Sequence, residues 1–330
     1  MDFRALPKID LHRHLEGSVR FETFVELARE VGIDLPRAEL RRRTSMKGEK
    51  PGFLRFMSKF EIYRGLYPSR EWIERVAFEA AEDAKKDGVV YLELRFSPTH
   101  FARRMGAKGE DVAAWVARGA RRAKLDVRFI ATFGRHFGVK GNEPTTRAVK
   151  GTDVFSGLDL AGVESAPAAP FVPLFKKLKL PVTIHAGEAG GPENVREAIQ
   201  KFGARRIGHG VAVLKDRGVV GLARKRGVHF EVCLTSEIQT GAARSWRRHP
   251  GLRMIREELD VSLNTDDPSI SDVRLTGELR AAERAGLDRF HLGLATLSAA
   301  GAAFLPDDRR KDLARKVLGA WIPPLLARNA

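Results

Sequence analysis

Pro181-Val182-Thr183-Ile184-His185-Ala186-Gly187-Glu188 is a short β-branched run that ends in a histidine, a glycine and an acid. It reads as a buried strand with polar residues at its C-terminal end. The same arrangement recurs on both sides of it. Strand candidates are 8–12, 89–95, 127–133, 154–161, 181–186, 206–209, 228–234 and 261–266, with amphipathic stretches between them. In 21–31, Phe21, Phe24, Val25, Ala28 and Val31 recur at helical spacing, with Ser18 as a candidate N-cap. In 72–87, Ile73, Val76, Ala77, Ala80, Ala81 and Ala84 share one stripe. Alternation through eight such strands predicts an α/β fold of the (β/α)₈ TIM-barrel type. A doubly wound sheet is the competitor, but no GxGxxG follows an early strand.

With 330 residues, 43% of them hydrophobic, the chain can bury a sizeable core, which excludes disorder of the whole. One cysteine excludes an internal disulfide framework, and Cys233, on the predicted seventh strand, reads as a small buried hydrophobe. No apolar run approaches the roughly 18 residues of a membrane span, and MDFRALPKID lacks an apolar signal core. The expectation is a soluble cytoplasmic protein with no membrane partner. Lys and Arg number 58 against 42 Asp and Glu, a net charge of +16. That balance raises a reading from another class, a basic nucleic-acid binder on a barrel scaffold. The basic residues, however, are spread along the chain beside acids, and no RNP-type, zinc-finger or basic-heptad signature accompanies them. No specific nucleic-acid partner is expected. Oligomeric state is not legible.

The long gap between the first two strands holds Phe53, Phe56, Phe60, Tyr63 and Tyr67. This stretch reads either as an outer-layer core helix or as an apolar lid over the barrel mouth. We take it as a helical lid insertion around 36–70 within a single domain, 1–330.

Four polar clusters end predicted strands, where barrel enzymes place reactive groups. In His12-Arg13-His14 both imidazoles fall on one strand face, which suits a cation such as zinc, although two unrelated histidines would look the same. His185-Ala186-Gly187-Glu188 offers a third imidazole and an acid that can act as general acid/base in a dry pocket; the plainer reading of Glu188 is a helix-start glutamate. Ile207-Gly208-His209-Gly210 sets a histidine between glycines, as a surface loop also would. Asn264-Thr265-Asp266-Asp267-Pro268 puts two carboxylates side by side, a costly arrangement unless Asp266 ligates a cation and Asp267 accepts hydrogen bonds; an Asx turn before proline is the alternative. Together they supply three imidazoles and one carboxylate, with an unligated Glu, His and Asp beside them: a metal site with an open position for water. His100, His136, His229, His249 and His291 lack such company and read as structural or solvated.

With residues 7–18 (Pro-Lys-Ile-Asp-Leu-His-Arg-His-Leu-Glu-Gly-Ser), these clusters resemble the adenosine deaminase family of the amidohydrolase superfamily. Val90-Tyr91-Leu92-Glu93-Leu94-Arg95-Phe96-Ser97-Pro98, Leu158-Asp159-Leu160-Ala161-Gly162 and Cys233-Leu234-Thr235-Ser236 with Gln239-Thr240 are similar to its second-, fourth- and seventh-strand motifs. The resemblance implies one Zn²⁺ per chain held by His12, His14, His185 and Asp266. It implies that Glu188 protonates purine N1, that His209 orients the attacking hydroxide, and that Asp267 bonds the hydroxide and purine N7. It places the backbone N–H of Gly162 at N3, His14 beside the substrate, and Glu16 near the ribose 5′ end. The implied activity is hydrolytic deamination of adenosine and 2′-deoxyadenosine, with adenine or aminodeoxyfutalosine as alternative substrates; the partner is a small 6-aminopurine nucleoside or base. Two positions depart from the pattern. Glu16 stands where many adenosine deaminases have Asp, and Glu237 where bacterial members often have Asn. Glu237 is expected to alter the mouth or to pair with an arginine.

Overall fold

Eight parallel strands follow one another around a single sheet: β1 (Lys8–His14), β2 (Val89–Phe96), β3 (Asp126–Gly134), β4 (Phe155–Ala161), β5 (Val182–Ala186), β6 (Arg206–His209), β7 (His229–Val232) and β8 (Val261–Leu263). The computed structural model describes residues 2–326, so the ends of the 1–330 span, residue 1 and residues 327–330, lie outside the described residues. No ladder links β8 to β1, but the two meet through a bridge between Arg13 and Asp266. There Asp266 N donates to His12 O and His14 N to Asp266 O, each at 2.8 Å. The architecture is the (β/α)₈ barrel.

Helices cover the outside and bury one stripe each, as their 3.6-residue period requires. Arg70–Lys86 turns Ile73, Val76, Ala77, Ala80, Ala81 and Ala84 inward. The helix that begins at Phe21 is capped differently from expectation. Its N-cap residue is Arg20, without a side-chain cap, because the Ser18 hydroxyl donates to His14 O at 2.6 Å and ties down the end of β1 instead. β1 runs two residues beyond the predicted end. β8 stops three residues short of it, since Asp266 takes a left-handed backbone (φ 60°) that no strand continues through. Within 36–70 the chain forms helices Arg37–Thr44 and Phe53–Ser58 and a 3₁₀ turn at Ile62–Gly65; Phe56, Tyr63, Leu66 and Tyr67 are buried while Leu54 is 75% exposed. No helix among the described residues is long and apolar enough to cross a membrane.

The barrel interior is ionic beneath the mouth. Arg206 donates to Glu231 at 2.6 Å and to Glu93 at 2.5 Å, and Arg95 donates to Glu231 at 2.7 Å and lies 3.4 Å from Asp159; all five side chains are buried. Burial alone would push Glu231 up, but Arg95 and Arg206 hold its carboxyl well below the usual range. Removing one member leaves a buried charge uncompensated, at a cost of about 3–5 kcal/mol. Arg206→Met is therefore expected to lower the denaturant midpoint by that amount of stability; a loss under about 1 kcal/mol would show the network to be dispensable.

Candidate active site

The four clusters converge at the C-terminal mouth. His12 and His14, two apart on β1, both face inward; His185 closes β5 and His209 closes β6. His14 Nε2 lies 3.2 Å from His185 Nε2. Asp266 Oδ1 is 3.2 Å from His12 Nε2 and 3.4 Å from His14 Nε2. The predicted three imidazoles and one carboxylate are thus brought side by side at the mouth. His12, His185, His209 and Asp266 also form a buried group whose ligand atoms lie within 4.8 Å of one another.

Each of two imidazoles is fixed from behind. His12 Nδ1 pairs with Glu231 Oε2 at 2.7 Å, and His185 Nδ1 with Asp159 Oδ1 at 2.9 Å. With the proton on Nδ1, each Nε2 carries a lone pair toward the center, the form in which imidazole ligates a metal. His12 Nε2 is buried with no hydrogen-bond partner. An orphaned acceptor at the convergence of this set fits a divalent ion. Burial holds His14 well below its ordinary range and lowers His185, so both are neutral and available as donors.

Beside this center, the Glu188 carboxylate lies 3.7 Å from His209 Nε2. Burial pushes Glu188 up to about 7, against the pull of His209. Asp267 shares its surroundings with Asp266; burial and that neighbor raise it well above the usual carboxylate range. Its side chain occupies the space where Gly17 lacks one: a Cβ there would come 1.8 Å from Asp267 Oδ1 and 2.5 Å from its Cβ. Gly17 is thus the position that admits Asp267 to the mouth. His209 and Asp266 both adopt φ of 60°, a conformation that costs non-glycine residues about 1–3 kcal/mol and clusters at functional sites.

A cavity of about 130 Å³ opens on this group. His14, Glu16, Gly162, His185, Glu188, His209, Asp266 and Asp267 all line it, together with Phe53, Phe56, Met57 and Phe60 from the 36–70 segment. Gly162 has φ 105°, which leaves its backbone bare at the wall. Glu16 Oε1 accepts from Ser97 N at 2.8 Å, while its Oε2, Asp267 Oδ1 and Ser97 Oγ are buried without partners. Burial raises Glu16 to about 7.

A family model described as adenosine deaminase matches residues 7–320. The adenosine deaminase of Klebsiella pneumoniae (strain 342) is 35% identical over 326 residues, covering 95% of this chain and 98% of that protein. The chain belongs to the adenosine deaminase family. Among solved structures, an amidohydrolase from Burkholderia ambifaria with bound Zn superposes on this family member with a TM-score of 0.88 at 27% identity, covering 99% of this chain and 93% of the other. The N6-mAMP deaminase of Arabidopsis gives 0.85 at 25% identity, covering 96% and 99%. Like these relatives, this adenosine deaminase family chain is a metal-dependent aminohydrolase on a TIM barrel.

Several residues of this deaminase site escaped the reading of its sequence. Glu231 and Asp159 orient two imidazoles, and Arg95 lies between them. The available signal was charge at alternate positions of otherwise apolar strands, as in Glu93 and Arg95 of β2. Glu164 accepts the backbone N–H groups of Gly187, Glu188 and Ala189 at 2.6, 2.8 and 2.9 Å and so fixes the turn that carries Glu188. His100 and His136, set aside as structural or solvated, line the cavity. Among the described residues Glu237 pairs with no arginine, and it does not line this cavity: it is buried, with Oε1 3.2 Å from His209 Nδ1 and accepting from Cys233 N at 2.9 Å, and Oε2 3.4 Å from His249 Nε2. It sits in the first turn of the short helix Leu234–Thr240 that follows β7, buried between the two histidines.

Proposed function

We propose that this protein hydrolytically deaminates adenosine and 2′-deoxyadenosine, releasing ammonia and the 6-oxo nucleoside. The observation that carries the reading is a buried carboxyl, Glu188, titrating near neutrality beside the convergent His12, His14, His185 and Asp266. These four would hold one zinc ion, which when bound would lower the pKa of a water toward ~7 and make a nucleophile available at neutral pH. Glu188 delivers its proton to purine N1, which drains electron density from the ring and opens C6 to addition by water oxygen. His209, held protonated between Glu188 and Glu237, donates to the incoming water oxygen and orients it toward C6. The C6 adduct then expels its amino group as ammonia: the adduct's hydroxyl proton passes to that nitrogen, the 6-oxo group forms with N1–H retained, and the other proton of the water restores Glu188. Asp267, kept protonated by burial, accepts from the nucleophile with one carboxyl oxygen and donates from the other to N7, which carries only a lone pair in a 9-substituted purine; the Gly162 N–H donates to N3, and Glu16 receives the ribose end. Phe53, Phe56, Met57 and Phe60 act as an apolar lid that keeps bulk water from the adduct. The enzyme works in the cytoplasm.

Glu16 in place of the shorter acid is the feature that favors a second reading, deamination of adenine or of a 5′-modified nucleoside such as aminodeoxyfutalosine. Ammonia release by zinc-replete protein from adenosine, 2′-deoxyadenosine, adenine, AMP and aminodeoxyfutalosine separates these. Adenosine is expected to lead in kcat/KM by at least about tenfold over adenine and AMP. Preference for adenine or aminodeoxyfutalosine transfers the assignment to the second reading, and no release from any 6-aminopurine overturns both.

A further inference from the structure

A second cavity, of about 780 Å³, lies on the outer side of β1, between the helices Arg70–Lys86 and Leu275–Arg284. It shares no lining residue with the deaminase cavity, and its volume is that of an ordinary small-molecule site. Seven arginines and three aspartates line it. The acids are already engaged: Asp83 accepts from Arg20 at 2.6 and 2.9 Å, Asp272 from Lys47 at 2.6 Å, and Asp87 from Thr276 N at 2.9 Å. The arginines are not all matched. Among the described residues, the guanidinium groups of Arg41, Arg274 and Arg284 make no hydrogen bond or ion pair, and Arg280 comes only within 3.8 Å of Asp2. Arg41 lies over the Phe21 ring at 3.5 Å, which fixes its plane. At the floor sits Arg13, 3% exposed; its Nε contacts Asp10 and Thr265, and one terminal nitrogen donates to Ala80 O.

Clustered, uncompensated guanidinium groups around a concavity raise the local anion concentration and match phosphate oxygens in fork geometry. A floor formed by the buried Arg13 and Tyr63 suits a small ligand that can enter, rather than a duplex that rests on the rim. From these features we infer that the outer cavity is a binding site for a small polyphosphate anion of the nucleoside triphosphate class, seated on Arg41, Arg274 and Arg284. The inference stands apart from the deaminase reading.

Calorimetric titration of the full chain at 0.15 M salt, where diffuse attraction is screened beyond about 8 Å, tests it. The probes are UTP, which offers the deaminase cavity no 6-aminopurine, and inorganic tripolyphosphate. One saturable site per chain is expected. The double variant R274A/R284A should bind at least about tenfold more weakly while keeping its deaminase kcat, since two charge-assisted contacts are lost. The variant R118A/R121A removes the same charge from the distant helix Gly109–Arg121 and should bind within about twofold of the parent. Tighter binding of UTP than of tripolyphosphate supports a nucleotide ligand, and equal affinity supports the polyphosphate chain alone. Equal loss in both double variants, no loss in R274A/R284A, no saturable binding, or RNA binding sensitive to R274A/R284A without any UTP binding would each overturn it.

Discussion

Glu188→Gln is expected to lower kcat on adenosine by roughly 10²–10⁴ while one zinc ion per chain remains bound. The substitution keeps the shape and hydrogen-bonding reach of the side chain and removes only the proton that would reach N1. Glu188 does not belong to the set of His12, His14, His185 and Asp266, so elemental analysis should be unchanged. KM should move little, because an amide can still donate to N1 in the ground state. The deficit therefore belongs to the transition state, and kcat and kcat/KM should fall together. Near-parental turnover by the variant, at full metal content, would remove Glu188 from the proton-transfer role. Loss of zinc along with activity would instead assign it to holding the site together.

Removal of the metal should have the other large effect. Dialysis against a strong chelator is expected to reduce deamination by roughly 10³-fold or more, since the ion supplies several kcal/mol to the reaction. One equivalent of zinc should restore it. The melting temperature should also fall on chelation and recover on reloading, because a ligand that binds only the folded state stabilizes it by mass action. The donor set calls for an ion: two imidazole nitrogens stand 3.2 Å apart, and His12 Nε2, 3.2 Å from Asp266 Oδ1, makes no hydrogen bond. Full activity in protein shown by elemental analysis to be metal-free would defeat the assignment.

The barrel and the clusters at its mouth were legible because both are local. A β-branched run ending in His185 or Asp266 carries its own direction, and the β/α rhythm places all such ends on one side. His12 and His14 share a face by strand periodicity alone. What supports them was not legible. Arg95 and Glu231 are 136 residues apart, and nothing near either one names the other. His100 and His136 reach the cavity only because the segments after β2 and β3 fold back over the mouth. The ends of β1 and β8 were misjudged because the left-handed turn at Asp266 depends on the contact with β1, which is a closure contact and not a local preference. Ser18 has the right residue type for a helix cap, yet the carbonyl of His14 competed for its hydroxyl and won.

Arg95 touches both carboxylates that brace the imidazoles, Glu231 behind His12 and Asp159 behind His185. Loss of that one guanidinium changes the basicity of both nitrogens together, in the same direction. Natural variation at this position can therefore make the grip on the ion tighter or looser, but it cannot adjust one histidine and spare its counterpart across the barrel.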